Sequence, residues 1–328
     1  MDLDRMLERC RRDQWSVSDL DWTRRSREMS RKDEISIVQL FTDMAGIERL
    51  AAALFREQER RAEDPRLRAI FATFVKDEIR HAQAAQMLAD FYDVHHHRHY
   101  QESPSLRAFA PPFVDAVQHL SEDVANAYIV CGELILDIAL LRAIDDFVND
   151  EMSAAAMHLI NQDESRHIAI DYHMAEYYAS DAYEERLRRR PPPSLAARAA
   201  AARTFVAMLY RAQPFIRDVF LSPMDRLDPR GKRMGEAFKR MQLLGMREER
   251  SRRPFTRFTR GLQTAFMNPV VRPVLGDLLT RLAGVSPQFL QRLYDEQDLQ
   301  RIRRMSYTEL AEEALSVKQA SPDPARAG

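Results

Sequence analysis

Asp77-Glu78-Ile79-Arg80-His81 and Asp163-Glu164-Ser165-Arg166-His167 are two copies of one pattern, 86 residues apart. A lone glutamate in an apolar run precedes each copy by 30 or 31 residues: Glu48 after Gly46-Ile47, and Glu133 after Cys131-Gly132. In chain order this is Glu, Glu-x-x-His, Glu, Glu-x-x-His. Four carboxylates and two imidazoles so ordered can hold two metal ions inside a helix bundle.

Whether they meet depends on the turns between them. Asp64-Pro65 has the form of an N-cap followed by proline at the first helical position. It separates a helix over 33–63 from one running to about Tyr92. In the first of these Ile37, Leu40, Phe41, Met44, Ile47, Leu50 and Leu54 recur at steps of three and four. Glu48 lies 16 residues before Asp64 and Glu78 14 after it. At 1.5 Å per residue both stand roughly 20–24 Å from the same hairpin end. Asn149-Asp150-Glu151 makes the second short turn, with Glu133 17 residues before Asp150 and Glu164 and His167 14 and 17 after it. Two antiparallel hairpins thus bring all six side chains to one height, and within each Glu-x-x-His the pair shares a helical face. A glutamate on an apolar helix face is costly to bury unless it is paired or bound to metal.

The rest of the chain suits a helical protein. Glycine is scarce at 9 of 328 residues, and apolar residues make up 45%. Cys10 and Cys131 are the only cysteines, which argues against a disulfide framework or a cysteine-based metal site. The charged start, Met1 to Arg12, lacks the apolar stretch of a signal peptide, and no uncharged run reaches about 18 residues. No membrane span is expected, and the default location is cytoplasmic.

The reading divides the chain into an N-terminal arm (1–32), a bundle carrying the motif (33–180), a C-terminal helical extension packed on it (181–316) and a disordered tail (317–328). Within the bundle 93–112 is expected as a loop, a third helix from about Pro112 to Val148, and a fourth over 153–178. His95, His96, His97 and His99 lie in the loop; the cluster could bind metal, but it reads as an exposed polar stretch, since no carboxylate of fixed spacing accompanies it. Beyond the break at Arg188 to Pro193, helices are expected at 194–220, 231–250, 257–267, 271–283 and 287–304. Residues 203–328 hold 23 Lys/Arg against 14 Asp/Glu, so the net charge of −1 hides about −10 before and +9 after. Arg247 to Arg260 contains six arginines with Phe255 and Phe258 between them. Such a run is either a solvated helix end or a grip for an acidic partner, nucleic acid or a membrane surface.

Carboxylate-rich sites with one imidazole per metal suit iron or manganese better than zinc or copper. Two iron ions, or one manganese and one iron, are the expected cofactor. Glu78 and Glu164 are expected to bridge, with Glu48, His81, Glu133 and His167 as terminal ligands.

In these residues the chain resembles the ferritin-like di-iron carboxylate superfamily, over roughly 33–180. The doubled Asp-Glu-x-Arg-His and the gaps of 55 and 31 residues are similar to acyl-carrier-protein desaturases and arylamine N-oxygenases. The resemblance implies an all-α, ferritin-like four-helix bundle, here with an additional C-terminal helical layer. It also implies that Asp163 orients His81 and Asp77 orients His167. Two departures stand out. The N-oxygenases carry a third histidine where this chain has Ile160, with His158 two residues off. Many oxygen-activating relatives place a threonine where this chain has Asp137. Asp137 is assigned a catalytic role as a proton relay, with an extra ligand or a plain hydrogen bond as alternatives, and Asp171, one turn after His167, invites the same readings.

The expected function is a dioxygen-dependent oxidoreductase that hydroxylates, desaturates or N-oxygenates a small or carrier-bound substrate. Electrons would come from a separate reductase or ferredoxin, because the chain has neither a Rossmann glycine pattern nor an iron–sulfur cysteine set. A homodimer is left open. The alternatives are an iron-handling or stress protein without an organic substrate, and a binding protein that uses its basic C-terminal half.

Overall fold

Residues 1–283 and 285–319 are described by a computed structural model. They are all-helical, with no strand among the described residues. Side-chain caps delimit the long helices, at Asp64 where one was expected and also at Ser30 and Asp150. Ser30 caps α2 (Arg31–Arg61) by accepting from the Asp33 amide. Asp64 caps α3 (Pro65–Tyr92) by accepting from the Arg66 amide, with Pro65 in the first turn. Asn149 sits in the left-handed region at φ 49°, and Asp150 then caps α6 (Glu151–Ala179) through the Ser153 amide. This two-residue reversal joins α6 to the long helix α5 (Glu122–Val148).

α2 packs on α3 and α5 on α6, and the hairpins meet through α2 against α5 and α3 against α6. Their facing sides supply most of one apolar core, including Phe41, Phe55, Phe74, Leu88, Leu134, Ile138 and Ile160. Each such side chain contributes about 1.5–3 kcal/mol on burial. The hairpins are also tied at one end. Asp150 accepts from the Tyr92 hydroxyl at 2.7 Å as well as from the Ser153 amide at 2.8 Å. Asp150→Ala removes a cap and leaves a buried phenol unpaired, so urea unfolding should show a loss of about 2–3 kcal/mol.

The expected loop and third helix are corrected here. α4 (Pro104–His119) begins inside the expected loop and runs through Pro111 and Pro112. Pro111 is exposed, and proline's missing donor is least costly where water can satisfy the carbonyl left over. What ends the helix is the extended backbone at Leu120 and Ser121, so α4 and α5 are separate.

The N-terminal residues form α1 (Leu3–Arg12), lying on α3 and α6, and a 3₁₀ turn at Val17–Asp19. After α6 come α7 (Asp181–Arg189), α8 (195–227), α9 (Lys232–Gly245), α10 (Pro254–Met267), α11 (Arg272–Ala283), α12 (Pro287–Leu290), α13 (Glu296–Arg304) and α14 (Tyr307–Gln319). The expected 287–304 helix is thus two, separated by an extended stretch. α7 and α14 were not expected. α14 carries the chain helically through 317–319, where a tail was expected to start; the remainder of that expectation, 320–328, lies outside the described residues.

α9 and α14 pack on α5 and α14 also on α6, while α8 packs on α4. α5 is therefore enclosed on both sides. It is the one helix among the described residues long and apolar enough to cross a membrane by length and composition, and 78% of its apolar window is buried inside the protein.

Candidate metal centre

The four inner helices each present one part of the motif to the middle: α2 brings Glu48, α3 Glu78 and His81, α5 Glu133, and α6 Glu164 and His167. Glu48, Glu78, His81, Glu164 and His167 are 0% exposed and Glu133 4%. Their donor atoms form two groups, each within 4.8 Å. One is Glu48, Glu78, His81 and Glu164; the other is Glu78, Glu133, Glu164 and His167. Glu78 and Glu164 belong to both, the arrangement of bridging ligands. His81 Nδ1 lies 3.0 Å from Glu164 Oε1, and His167 Nδ1 lies 3.0 Å from both Glu78 Oε1 and Glu164 Oε2.

The far side of each ring meets an aspartate of the opposite repeat. His81 Nε2 is 3.0 Å from Asp163 Oδ2, and His167 Nε2 is 3.5 Å from Asp77 Oδ2. This leaves Nδ1 of both rings facing the carboxylates. The aspartates are themselves held. Arg80 bridges Asp77 at 2.5 Å and Asp163 at 2.7 Å, and Arg166 pairs with Asp163. Gln14 donates to Asp77 at 3.0 Å and the Trp15 indole to Asp163 at 2.7 Å. The arginine in each motif copy stands three residues after its aspartate, a spacing visible in the sequence. Gln14 and Trp15 carry no such signal, because their partners lie 63 and 148 residues away.

Charge accounting decides what the centre can hold. Asp77 and Asp163 neutralise Arg80 and Arg166, so this buried quartet balances itself. The four glutamates remain. Both oxygens of Glu48 and of Glu78, with one each of Glu133 and Glu164, are buried without a hydrogen bond. Such atoms are expensive unless something positive meets them. Two divalent cations would cancel the four charges and fill the orphaned positions. Carboxylate oxygens with one imidazole nitrogen per ion match iron or manganese, so the residues fit the group.

The titration behaviour points the same way. Burial, then the neighbouring Glu78, push Glu48 well above the usual carboxylate range. Burial and Glu164 do the same to Glu133. Burial would also raise Glu164, but His167 beside it and hydrogen bonds from Glu133, His167 and His81 hold it well below that range. Burial opposes charging of the imidazoles. It is outweighed at His81 by Asp163, Glu164 and Glu78, and at His167 by Glu164, Asp77 and Glu78, so both are raised. The site draws positive charge inward, as protons or as metal.

Asp137 and Asp171 are buried but join neither donor group. Asp171 is raised well above its usual value, chiefly by burial, and neither of its carboxylate oxygens has a hydrogen bond. Asp137 lies one turn past Glu133 in Leu134–Leu141, where α5 widens to π-helical bonding. Such bulges are rare and frequent at functional sites. No residue pattern announced it. Ile160 is buried and His158 exposed, so no third histidine reaches the centre.

The histidine loop gains a carboxylate that sequence spacing did not provide. Glu34, at the start of α2, accepts from the His95 amide at 2.9 Å, has the His95 ring at 2.7 Å and has His97 at 3.9 Å. These bonds tie the loop to α2.

The basic run is not a solvated face either. Arg247, Arg250 and Arg253 are buried, while Arg252 and Arg257 are exposed. Compared with known proteins, the chain matches no family model, no curated protein and no solved structure.

Proposed function

We propose that the chain is a ferritin-like four-helix bundle with an added C-terminal layer, and that it works as a dioxygen-dependent di-iron oxidoreductase. The observation that carries this is the pair of four-residue donor groups sharing Glu78 and Glu164. Iron held there, or one manganese with one iron, supplies the one-electron chemistry by which dioxygen oxidises an organic substrate.

The chain's own residues have definite tasks. Asp163 and Asp77 fix the rings of His81 and His167, so that Nδ1 of each faces the carboxylates. Phe55 and Phe74, with centroids 5.1 and 4.1 Å from His167, keep water from that side. Burial pushes the Asp171 carboxyl well above its usual range, and it stands one turn from His167, where a proton could be taken up or passed on. The layer formed by α8 to α14 walls α5 and supports a reading with an organic substrate over iron handling alone. Electrons come from a separate reductase or ferredoxin.

The test is anaerobic loading with ferrous iron, followed by air. About two irons per chain should bind, and the near-UV absorption should change as oxygen is consumed. Growth of an iron mineral with excess metal would favour the iron-handling reading. An inert spectrum would remove the oxidase reading.

A further inference from the structure

Six arginines are buried among the described residues, and five of them have partners. Arg80 and Arg166 belong to the aspartate quartet. Arg240 meets Glu236 and Glu313, Arg247 donates to the Ile302 and Met305 carbonyls, and Arg253 donates to the Ser180 carbonyl. Arg250 has neither a hydrogen bond nor an ion pair. Its Nε and Nη1 are buried without a partner, and burial lowers its pKa. A guanidinium cannot discharge itself at neutral pH, so an unpaired one costs several kcal/mol by order of magnitude.

Arg250 lines a cavity of about 210 Å³ between α5 and the C-terminal layer. Its walls are mainly apolar and aromatic, with Tyr128, Val130, Leu244, Phe255 and Phe289 among them. Two polar wall residues are already committed. Gln242 bonds to the Phe289 and Gln291 carbonyls and to the Leu293 amide, and Gln263 donates to the Gln291 carbonyl. Arg250 is thus an unpaired, largely buried positive charge on the wall of a mainly apolar chamber, and the less buried Arg260 lines the same chamber.

We infer that this cavity binds an organic carboxylate with an apolar body, whose carboxylate pairs with Arg250. A guanidinium pairs with a carboxylate through charge-assisted hydrogen bonds. A carboxylate brings the one negative charge that Arg250 lacks, with Arg260 the other cation on the cavity wall. The apolar body fills the aromatic part of the chamber, the usual division of labour in small-molecule sites. The inference rests on the cavity and Arg250 and does not depend on the metal reading.

Titration calorimetry on the metal-loaded protein tests it, with octanoate and benzoate as probes and octanamide and benzamide as neutral controls. At least one anion should bind, and its amide should bind about 10- to 100-fold more weakly. Arg250→Met should weaken the anion by a similar factor and leave the amide unchanged, while Arg250→Lys should lose less. Without ligand, Arg250→Met should melt no lower than the parent, because it removes an unpaired charge. The inference is overturned if neither anion binds, if the amide binds as tightly as its acid, or if Arg250→Met keeps full affinity. Should that variant not fold, the acid–amide comparison on the parent protein and the Lys variant decide the matter.

Discussion

Glu164→Ala is expected to empty both metal positions at once, whereas Glu48→Ala empties only one. The reason is that Glu164 belongs to both donor groups and Glu48 to a single one. After ferrous loading and desalting, metal analysis should give close to zero iron for Glu164→Ala and Glu78→Ala. Glu48→Ala and Glu133→Ala should retain about one. Circular dichroism establishes that the variants are folded. A Glu164→Ala protein that still holds two irons would sink the bridging assignment. Equal losses in all four variants would mean that the two positions fill only together.

The second large effect is on stability. Chelating the metal should lower the melting temperature by about 10 °C or more. An ion present at a thousandfold excess over its dissociation constant contributes about 4 kcal/mol, and about 1 kcal/mol moves the midpoint of a large domain by about 2–4 °C. The metal-free protein must keep four buried carboxylates close together, with Glu48 and Glu133 pushed toward their neutral forms by burial and by each other's neighbours. The double variant Glu48→Gln, Glu133→Gln should therefore melt higher than the metal-free parent while failing to gain from added metal. A melting point indifferent to chelation would show that the six side chains are not a metal centre.

The motif was legible because it depends on local rules. The caps at Asp64 and Asp150 delimit the hairpins, and helical rise then sets the heights of Glu48, Glu78, Glu133 and Glu164. Position along a helix can be counted when both ends are marked. The misreadings fall where a local rule was outweighed by packing. Pro111 and Pro112 suggested a break, but α4 carries them, and the true break at Leu120-Ser121 has no proline or glycine to show it. The π-helical turn at Leu134–Leu141 is a hydrogen-bond pattern without a residue signature. The six arginines near 247–260 looked like a surface because charge usually faces water. Arg247 turns inward to the Ile302 and Met305 carbonyls, 55 and 58 residues downstream, and Arg253 to the Ser180 carbonyl, 73 residues upstream. Glu34 beside His95 is the same kind of fact, a partner 61 residues away that no spacing rule supplies.

The N-terminal arm has a consequence for biosynthesis. Trp15 is made 148 residues before its acceptor Asp163. At about 5–20 residues per second, that interval lasts from several seconds to about half a minute. Throughout it the indole lacks its acceptor, although Gln14 can meet Asp77 before it ends. The indole's bond beside His81 can therefore form only after the second hairpin has been made. A nascent chain would offer its carboxylates to metal before the arm shuts, which makes assembly itself the natural moment for loading.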